Sequence, residues 1–173
     1  MISSLILLTV SAFSLPLLEN SSFHSDDTLC RLNIQEEQHQ KNTVLTITTN
    51  KTSDYKIRIY HQENVNPPKR SLLSSSTIGN TASYAEKTYL ADHNLYKRLS
   101  DTNAIYQTTL VNKNNALDEF LSSFKRNGFK TRLQLAELDH PFTFVADKRQ
   151  AEAFFLCSNP PSSTTIQMVK KNH

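Results

Sequence analysis

The stretch TVLTITTNKTSDYKIRIY, residues 43–60, carries the clearest structural pattern in the chain. Six of its first seven residues are β-branched, and Tyr55, Ile57 and Ile59 then stand at alternate positions. β-Branched residues and period-two alternation are typical of strands with one buried face, and the polar residues 50–54 between them suit a turn. We therefore predict a β-hairpin over residues 43–60.

The same alternation in Cys30, Leu32 and Ile34 predicts a strand before the hairpin, with the cysteine on its buried side. After the hairpin, residues 61–82 are polar and contain a Pro-Pro pair and a serine run. This composition predicts an exposed loop. Further strands are predicted at residues 104–111, 130–138, 142–146 and 151–157.

Two segments have helical spacing. Residues 83–86 (SYAE) form a potential capping box, and apolar residues at helical intervals follow it, which predicts a helix over residues 84–99. A second amphipathic segment starts after Asn115, a candidate N-cap, and stops at Gly128, which suits the C′ position. The element order is then β-β-β-α-β-α-β-β-β.

This order predicts an α+β fold: a single domain with a mainly antiparallel sheet that two helices cover on one face. We predict a signal peptide over residues 1–14, an N-terminal extension over residues 15–28, the domain over residues 29–158 and a loose tail over residues 159–173.

Composition excludes several function classes. The 173 residues are 38% apolar and 20% charged, with a net charge of +3, which is enough apolar content for a core and argues against a disordered chain. Two glycines leave no Gly-rich phosphate loop, so we expect no nucleotide and no cofactor. The absence of tryptophan excludes Trp-built sugar platforms.

The N-terminus predicts export. An apolar segment covers most of residues 1–10, and Ala12 and Ser14 are small residues at suitable positions for cleavage after Ser14. The segment is shorter than a membrane span, and the C-terminus is polar. We therefore predict a secreted, extracellular protein without a membrane span.

Export gives the two cysteines a role. A Cys30–Cys157 disulfide would bracket nearly the whole domain and act as a clasp between its termini. The sequons at Asn20 and Asn50 predict glycosylation in a eukaryotic secretory pathway.

Four Lys-Arg pairs, at residues 69–70, 97–98, 125–126 and 148–149, are more than chance would place among nineteen basic residues. In an exported chain such pairs are potential convertase sites. Lys69-Arg70, in the predicted loop, is the candidate processing site for a secretory precursor.

Glu137, Asp139 and His140 beside Arg132 are the candidate catalytic cluster. If the protein is an enzyme, Glu137 and His140 could perform acid–base hydrolysis of a glycan or of RNA. Asp and His before Pro141 are also ordinary turn residues, and this interpretation is preferred.

The six histidines contain no metal-binding spacing and are interpreted as isolated surface residues, so we expect no metal site. The cations are dispersed, and Lys56, Arg58 and Tyr60 on one hairpin face are interpreted as a solvated surface. This distribution argues against nucleic-acid binding.

The layout of an export signal, a domain of about 140 residues and one cysteine pair around it is similar to that of small secreted effectors of plant-pathogenic fungi. Some of those effectors adopt ribonuclease-like folds. The resemblance covers the layout only, because Thr28-Leu29 replace their aromatic-x-Cys start and no ribonuclease motif is present. Export, the predicted clasp and the lack of a strong catalytic motif favour our first hypothesis, a small secreted glycoprotein that binds an extracellular protein or glycan and has an effector-like role in virulence or host interaction. A secreted hydrolase and a precursor cleaved at Lys-Arg sites are the alternatives.

Overall fold

The computed structural model describes residues 20–37, 43–51, 54–63, 70–76, 87–136, 138 and 140–159. Within these ranges the chain forms a nine-stranded antiparallel sheet and two helices, which confirms the predicted α+β class. The strands are β1 Ser21–Ser25, β2 Cys30–Gln35, β3 Val44–Thr49, β4 Tyr55–Glu63, β5 Arg70–Ser76, β6 Lys87–Arg98, β7 Ala104–Leu110, β8 Lys130–Leu135 and β9 Phe142–Val145. The helices are α1 Ala116–Arg126 and α2 Lys148–Ser158.

Neighbouring strands follow the order β1-β2-β3-β4-β7-β6-β5-β8-β9. The first four strands are joined in sequence, and the predicted hairpin is the β3–β4 pair, in which Ile47 lies opposite Ile57. β7 then pairs with β4, and helix α1 carries the chain across to β8, which pairs with β5. The two halves of the sheet therefore meet at the β4–β7 pair.

The sheet curls until its two ends approach each other. β2 extends past the start of β1, and Glu36 there forms a β-bridge with Phe144 of β9. The Glu37 N–H donates to the Thr143 carbonyl at 2.9 Å, and the Asp147 N–H donates to the Ser21 hydroxyl at 2.8 Å. These contacts enclose one face of the sheet, which we call the inner face.

The core fills this inner face. Alternate residues of the strands point inward and are buried, as Cys30, Leu32 and Ile34 of β2 show. Both helices pack on the same face: Phe120 of α1 lies edge-on to Tyr89, and Phe154 of α2 lies edge-on to Tyr55. The predicted arrangement of two helices on one face is therefore found, although only α1 is one of the two predicted helices.

Helix α1 is found where the sequence predicts it, but its N-terminal cap differs from the prediction. It buries Leu117, Phe120 and Phe124, and Gly128 follows it with φ +68°, the left-handed conformation that ends a helix. Asn115 is not a side-chain cap, because it is itself left-handed; the Asn112 side chain accepts from the Leu117 N–H at 3.5 Å.

The predicted helix over residues 84–99 is wrong where the chain is described, since Lys87–Arg98 form strand β6. The segment has two periodicities, and Tyr89, Ala91 and His93 follow the one with period two. These three side chains are buried because they lie on the enclosed inner face, while β5 and β7 pair with β6 on both sides. Burial of alternate residues between two partner strands outweighed helical spacing.

The predicted strand over residues 151–157 is also wrong, because Lys148–Ser158 form helix α2. Asp147 is its N-cap, and the carboxylate accepts from the N–H groups of Arg149 and Gln150 at 3.0 and 3.1 Å. Ala151, Phe154 and Ser158 are buried at helical intervals. Both the N-cap residue and this helical spacing are present in the sequence, and they indicate a helix where a strand is predicted.

The predicted exposed loop over residues 61–82 is wrong for its first and middle parts. Strand β4 continues to Glu63, and Arg70–Ser76 form β5 inside the sheet, with Leu73 buried. β1, which the sequence did not predict, lies within the predicted N-terminal extension and pairs with β2. Pairing with neighbouring strands satisfies the backbone hydrogen-bonding groups of these polar segments, and the sequence of a segment by itself does not reveal such pairing.

The predicted clasp is confirmed by a disulfide between Cys30 and Cys157, 127 residues apart in sequence. Cys30 is at the start of β2 and Cys157 is near the end of α2. The bond therefore attaches the last helix to the second strand.

Replacement of Asp147 by alanine is expected to lower the free energy of unfolding by about 1 kcal/mol, because two N–H groups of the first turn of α2 lose their acceptor. Asp147→Asn retains a side-chain carbonyl and should lose much less. Urea unfolding of the two variants checks this expectation; equal losses would show that the charge, and not the cap, stabilises the helix.

Candidate binding site on the outer face of the sheet

A groove runs along the outer face of the sheet, opposite the core. The outward residues of β3 that line it, Val44, Thr46 and Thr48, are short. Arg31 lies opposite Thr48 on β2, and Arg58 lies opposite Thr46 on β4. Long side chains on two strands thus flank short ones on the strand between them, which forms a cavity of about 500 Å³. We call it the outer groove.

Two tyrosines form one end of the outer groove. Tyr60 of β4 and Tyr96 of β6 lie edge to face, with ring centroids 5.0 Å apart. The pairing of β6 with β7 shifts register between Leu95 and Lys97, and Tyr96 is the extra residue of this β-bulge. Bulges redirect side chains. Tyr96 can therefore reach past β7, where Ile105 also lines the groove.

Where the chain is described, the Arg58 side chain has an unsatisfied hydrogen-bond donor in the outer groove. It is half-buried, and its Nε atom is buried without a hydrogen-bond partner among the described residues. Neither Arg31 nor Arg58 forms an ion pair within the described part of the chain. A buried N–H group without an acceptor is unfavourable, so Arg58 is suited to an acceptor from outside the protein.

A second, smaller cavity of about 230 Å³ continues the outer groove toward the β3–β4 turn. It shares Arg31, Thr48 and Arg58 with the first cavity and adds Lys56 and Asp54. Among the described residues, three cations and one carboxylate therefore line the combined surface. This end of the groove has a positive character that an anion would find favourable.

Only part of the predicted catalytic cluster lies within the described residues. Glu137 and Asp139 lie outside the described residues. His140 is exposed, and its ring lies edge-on to Phe142 at 5.3 Å. Arg132 is on an outward position of β8. The catalytic role of Glu137 and His140 therefore stays a prediction.

The interpretation of the histidines as surface residues is wrong for two of them. His61 and His93 are only 1% and 6% exposed, on the inner face of β4 and β6, and their rings are 6.0 Å apart. His93 Nδ1 and the Thr108 hydroxyl share a hydrogen bond of 2.8 Å. Within the described ranges no group of three or more His, Cys, Asp or Glu residues could hold a metal ion. These two histidines belong to the core.

The predicted modification sites lie on the surface where they are described. Asn20 and Asn50 are exposed, and Asn50 borders the smaller cavity. Arg70 begins β5 and pairs with Asp92 at 3.1 Å, whereas Lys69 is outside the described residues. The other three Lys-Arg pairs lie in β6, α1 and α2, where a protease would have to unfold the element first. Glycosylation and processing stay predictions.

The turn between β1 and β2 leads into Leu29, which borders the smaller cavity. In this turn the Asp26 carboxylate accepts hydrogen bonds from the Thr28 N–H, the Thr28 hydroxyl and the Leu29 N–H at 2.8 to 3.0 Å. These bonds lower the pKa of Asp26 below its ordinary value of 3.8. Their contribution to stability is present above that value and is lost as the pH falls through the folded-state pKa.

Among the described residues, no helix is long and apolar enough to cross a membrane. No family model matches the chain, and neither a curated protein nor a solved structure shows significant similarity to it. The function is therefore inferred from the groove itself.

The sequence pattern does not predict the outer groove, although it places some of the groove's residues on one strand face. Lys56, Arg58 and Tyr60 were recognised as one face of a strand and were interpreted as a solvated surface. Only the strand register adds Arg31 from β2, and only the bulge adds Tyr96 from β6. One weak sequence signal for the groove exists: the outward side chains of β3 are short, whereas the outward side chains of the strands on either side include the long Arg31 and Arg58.

Proposed function

We propose that the protein is a small exported binding protein that holds an anionic protein or glycan partner in the outer groove. The observation that carries the proposal is the buried Nε atom of Arg58, which has no partner within the described residues and lies in a cavity that Arg31 also lines. A carboxylate, sulfate or phosphate group is the natural acceptor for two guanidinium groups.

The disulfide supports the exported location that the proposal includes, because such bonds persist in oxidising compartments. The effector-like layout agrees with a role outside the cell. The hydrolase hypothesis lacks comparable support, because the two members of its cluster that are described, Arg132 and His140, are both exposed. The precursor hypothesis retains Lys69-Arg70 as its candidate site, although Arg70 begins the paired strand β5.

Replacement of Arg58 by glutamine is expected to weaken the binding of an anionic probe by about ten- to a hundredfold. Hydrogen bonds to charged groups contribute about 1.5–3 kcal/mol, and each 1.4 kcal/mol is a factor of ten in affinity. The probes are fluorescein-labelled oligoglutamate and sulfated dextran oligosaccharide, each titrated with the oxidised full chain and followed by fluorescence anisotropy.

Arg149→Gln is the matched control, because it removes the same charge from an exposed position on helix α2. It should leave the affinity within about twofold of the wild-type value, since the position is outside the groove. The proposal is wrong if neither probe binds saturably, or if Arg58→Gln and Arg149→Gln weaken binding equally.

A further inference from the structure

We infer that the ligand of the outer groove is an acidic oligosaccharide, a short chain of hydroxyl-rich rings with carboxylate or sulfate groups. This inference rests on the proposed function and names the ligand class for the same site. It depends on how polar, charged and aromatic side chains are distributed along the groove.

The middle of the groove is lined by neutral hydrogen-bonding groups. The Thr46 hydroxyl donates to the Asn33 side-chain carbonyl at 3.1 Å. This bond leaves the Asn33 amide hydrogens as donors and the Thr46 oxygen as an acceptor. Thr48, two residues along β3, donates its hydroxyl hydrogen to the Lys56 carbonyl at 3.5 Å and adds a second acceptor oxygen. Such a set of paired donors and acceptors suits sugar hydroxyls, which donate and accept in the same way.

The charged residues and the aromatic pair are neighbours along the groove. Arg31, Lys56 and Arg58 surround Thr48, whereas Tyr60 and Tyr96 lie farther along the strands. Arg58 and Tyr60 are two residues apart on β4, or about 7 Å. A ligand that fills the groove must therefore have an anionic group and an apolar surface close together. A sugar ring with an acidic substituent has both.

The aromatic end presents one largely exposed ring, that of Tyr96. Tyr60 and Tyr96 pack edge to face against each other, and Tyr96 is 62% exposed. One open aromatic face can contact the C–H face of one pyranose. Single-stranded nucleic acid requires successive stacking platforms along a cationic track, whereas the described lining of this groove provides a single pair of aromatic rings.

The size of the site also favours a small ligand over a protein surface. A cavity of about 500 Å³ falls in the range of small-molecule sites, which are about 300–1,000 Å³. A stable protein partner would cover about 800 Å² with apolar anchors at the centre, whereas threonines and an asparagine occupy the centre of this groove.

The test compares labelled oligomers of equal charge: oligogalacturonate, sulfated dextran oligosaccharide, oligoglutamate and oligouridylate, with neutral dextran as the uncharged sugar. The oxidised full chain should bind at least one of the two acidic sugars at least tenfold more tightly than the peptide or the RNA. The preferred sugar distinguishes carboxylate from sulfate. Neutral dextran should bind at least tenfold more weakly than the preferred sugar.

The Tyr96→Ala substitution tests the aromatic contact separately from the charge attraction, because it removes a ring and leaves the charge of the groove unchanged. It should weaken binding of the preferred sugar at least fivefold and weaken oligoglutamate binding by a clearly smaller factor. Leu156→Ala, an equally exposed apolar position on α2, is its control. Equal affinity for all four anions, or no effect of Tyr96→Ala, overturns the sugar inference while the proposed function stands. Binding that does not depend on Arg58 overturns both.

Discussion

Replacement of both Cys30 and Cys157 by alanine is expected to lower the free energy of unfolding by about 5 kcal/mol. The bond closes a loop of 127 residues, and the entropy that such a closure removes from the unfolded chain grows with loop length. For a chain of this size the loss corresponds to a decrease in Tm of about 10–20 °C. Urea unfolding of the double variant and of the wild type measures it.

Reduction of the wild-type protein is the control for this expectation. A reducing agent should bring the wild-type unfolding midpoint close to that of the double variant and should leave the variant unchanged. A loss below about 1 kcal/mol would show that the two ends of the domain hold together without the bond. The bond would then have no major role in stability.

Replacement of Phe154 by alanine is expected to cost about 3–5 kcal/mol, the usual range for a fully buried phenylalanine. Phe154 is completely buried, and its ring lies edge-on to Tyr55 at 6.4 Å and to Phe155 at 5.2 Å. Its removal leaves a cavity between α2 and the inner face of the sheet. Chemical unfolding monitored by circular dichroism measures the loss.

Leu156→Ala is the matched control in the same helix, because Leu156 is 65% exposed. It should change the free energy of unfolding by no more than about 0.5 kcal/mol. Both substitutions introduce alanine into α2, so their helix-propensity effects are similar. Equal losses would mean that α2 does not pack on the sheet through Phe154.

The two predictions concern the same part of the molecule, where the curled sheet closes. Helix α2 packs against β1 and β2, and the disulfide attaches it to the start of β2. Arg31 follows Cys30 directly and points to the opposite face, into the outer groove. The clasp therefore also holds in place the strand that supplies one guanidinium group of the candidate site. Since the two contacts are neighbours, their energies need not add.

Several features could be predicted from the sequence because their causes are local. The β3–β4 hairpin follows from β-branched residues and alternation around a polar turn, and α1 follows from its apolar spacing and the glycine after it. The Cys30–Cys157 bond followed from counting, since two cysteines allow one pairing.

Other features could not be predicted because several local patterns were compatible with the same residues. Residues 87–98 have both helical and strand periodicity, and the partner strands on each side selected the strand. Residues 151–157 were assigned to a strand, although the N-cap at Asp147 and the burial of Phe154 make them helical. His61 and His93 are buried because the curled sheet encloses the face to which they belong.

The sequence by itself determined the α+β class, the hairpin, helix α1 and the clasp, since propensity, periodicity and cysteine number act within a segment or a single pair. Only the tertiary structure decided the outer groove. Arg31, Thr46, Arg58 and Tyr96 are contributed by four strands, and strand register and one β-bulge bring them together. Register depends on pairing between distant segments, so no local pattern contains it.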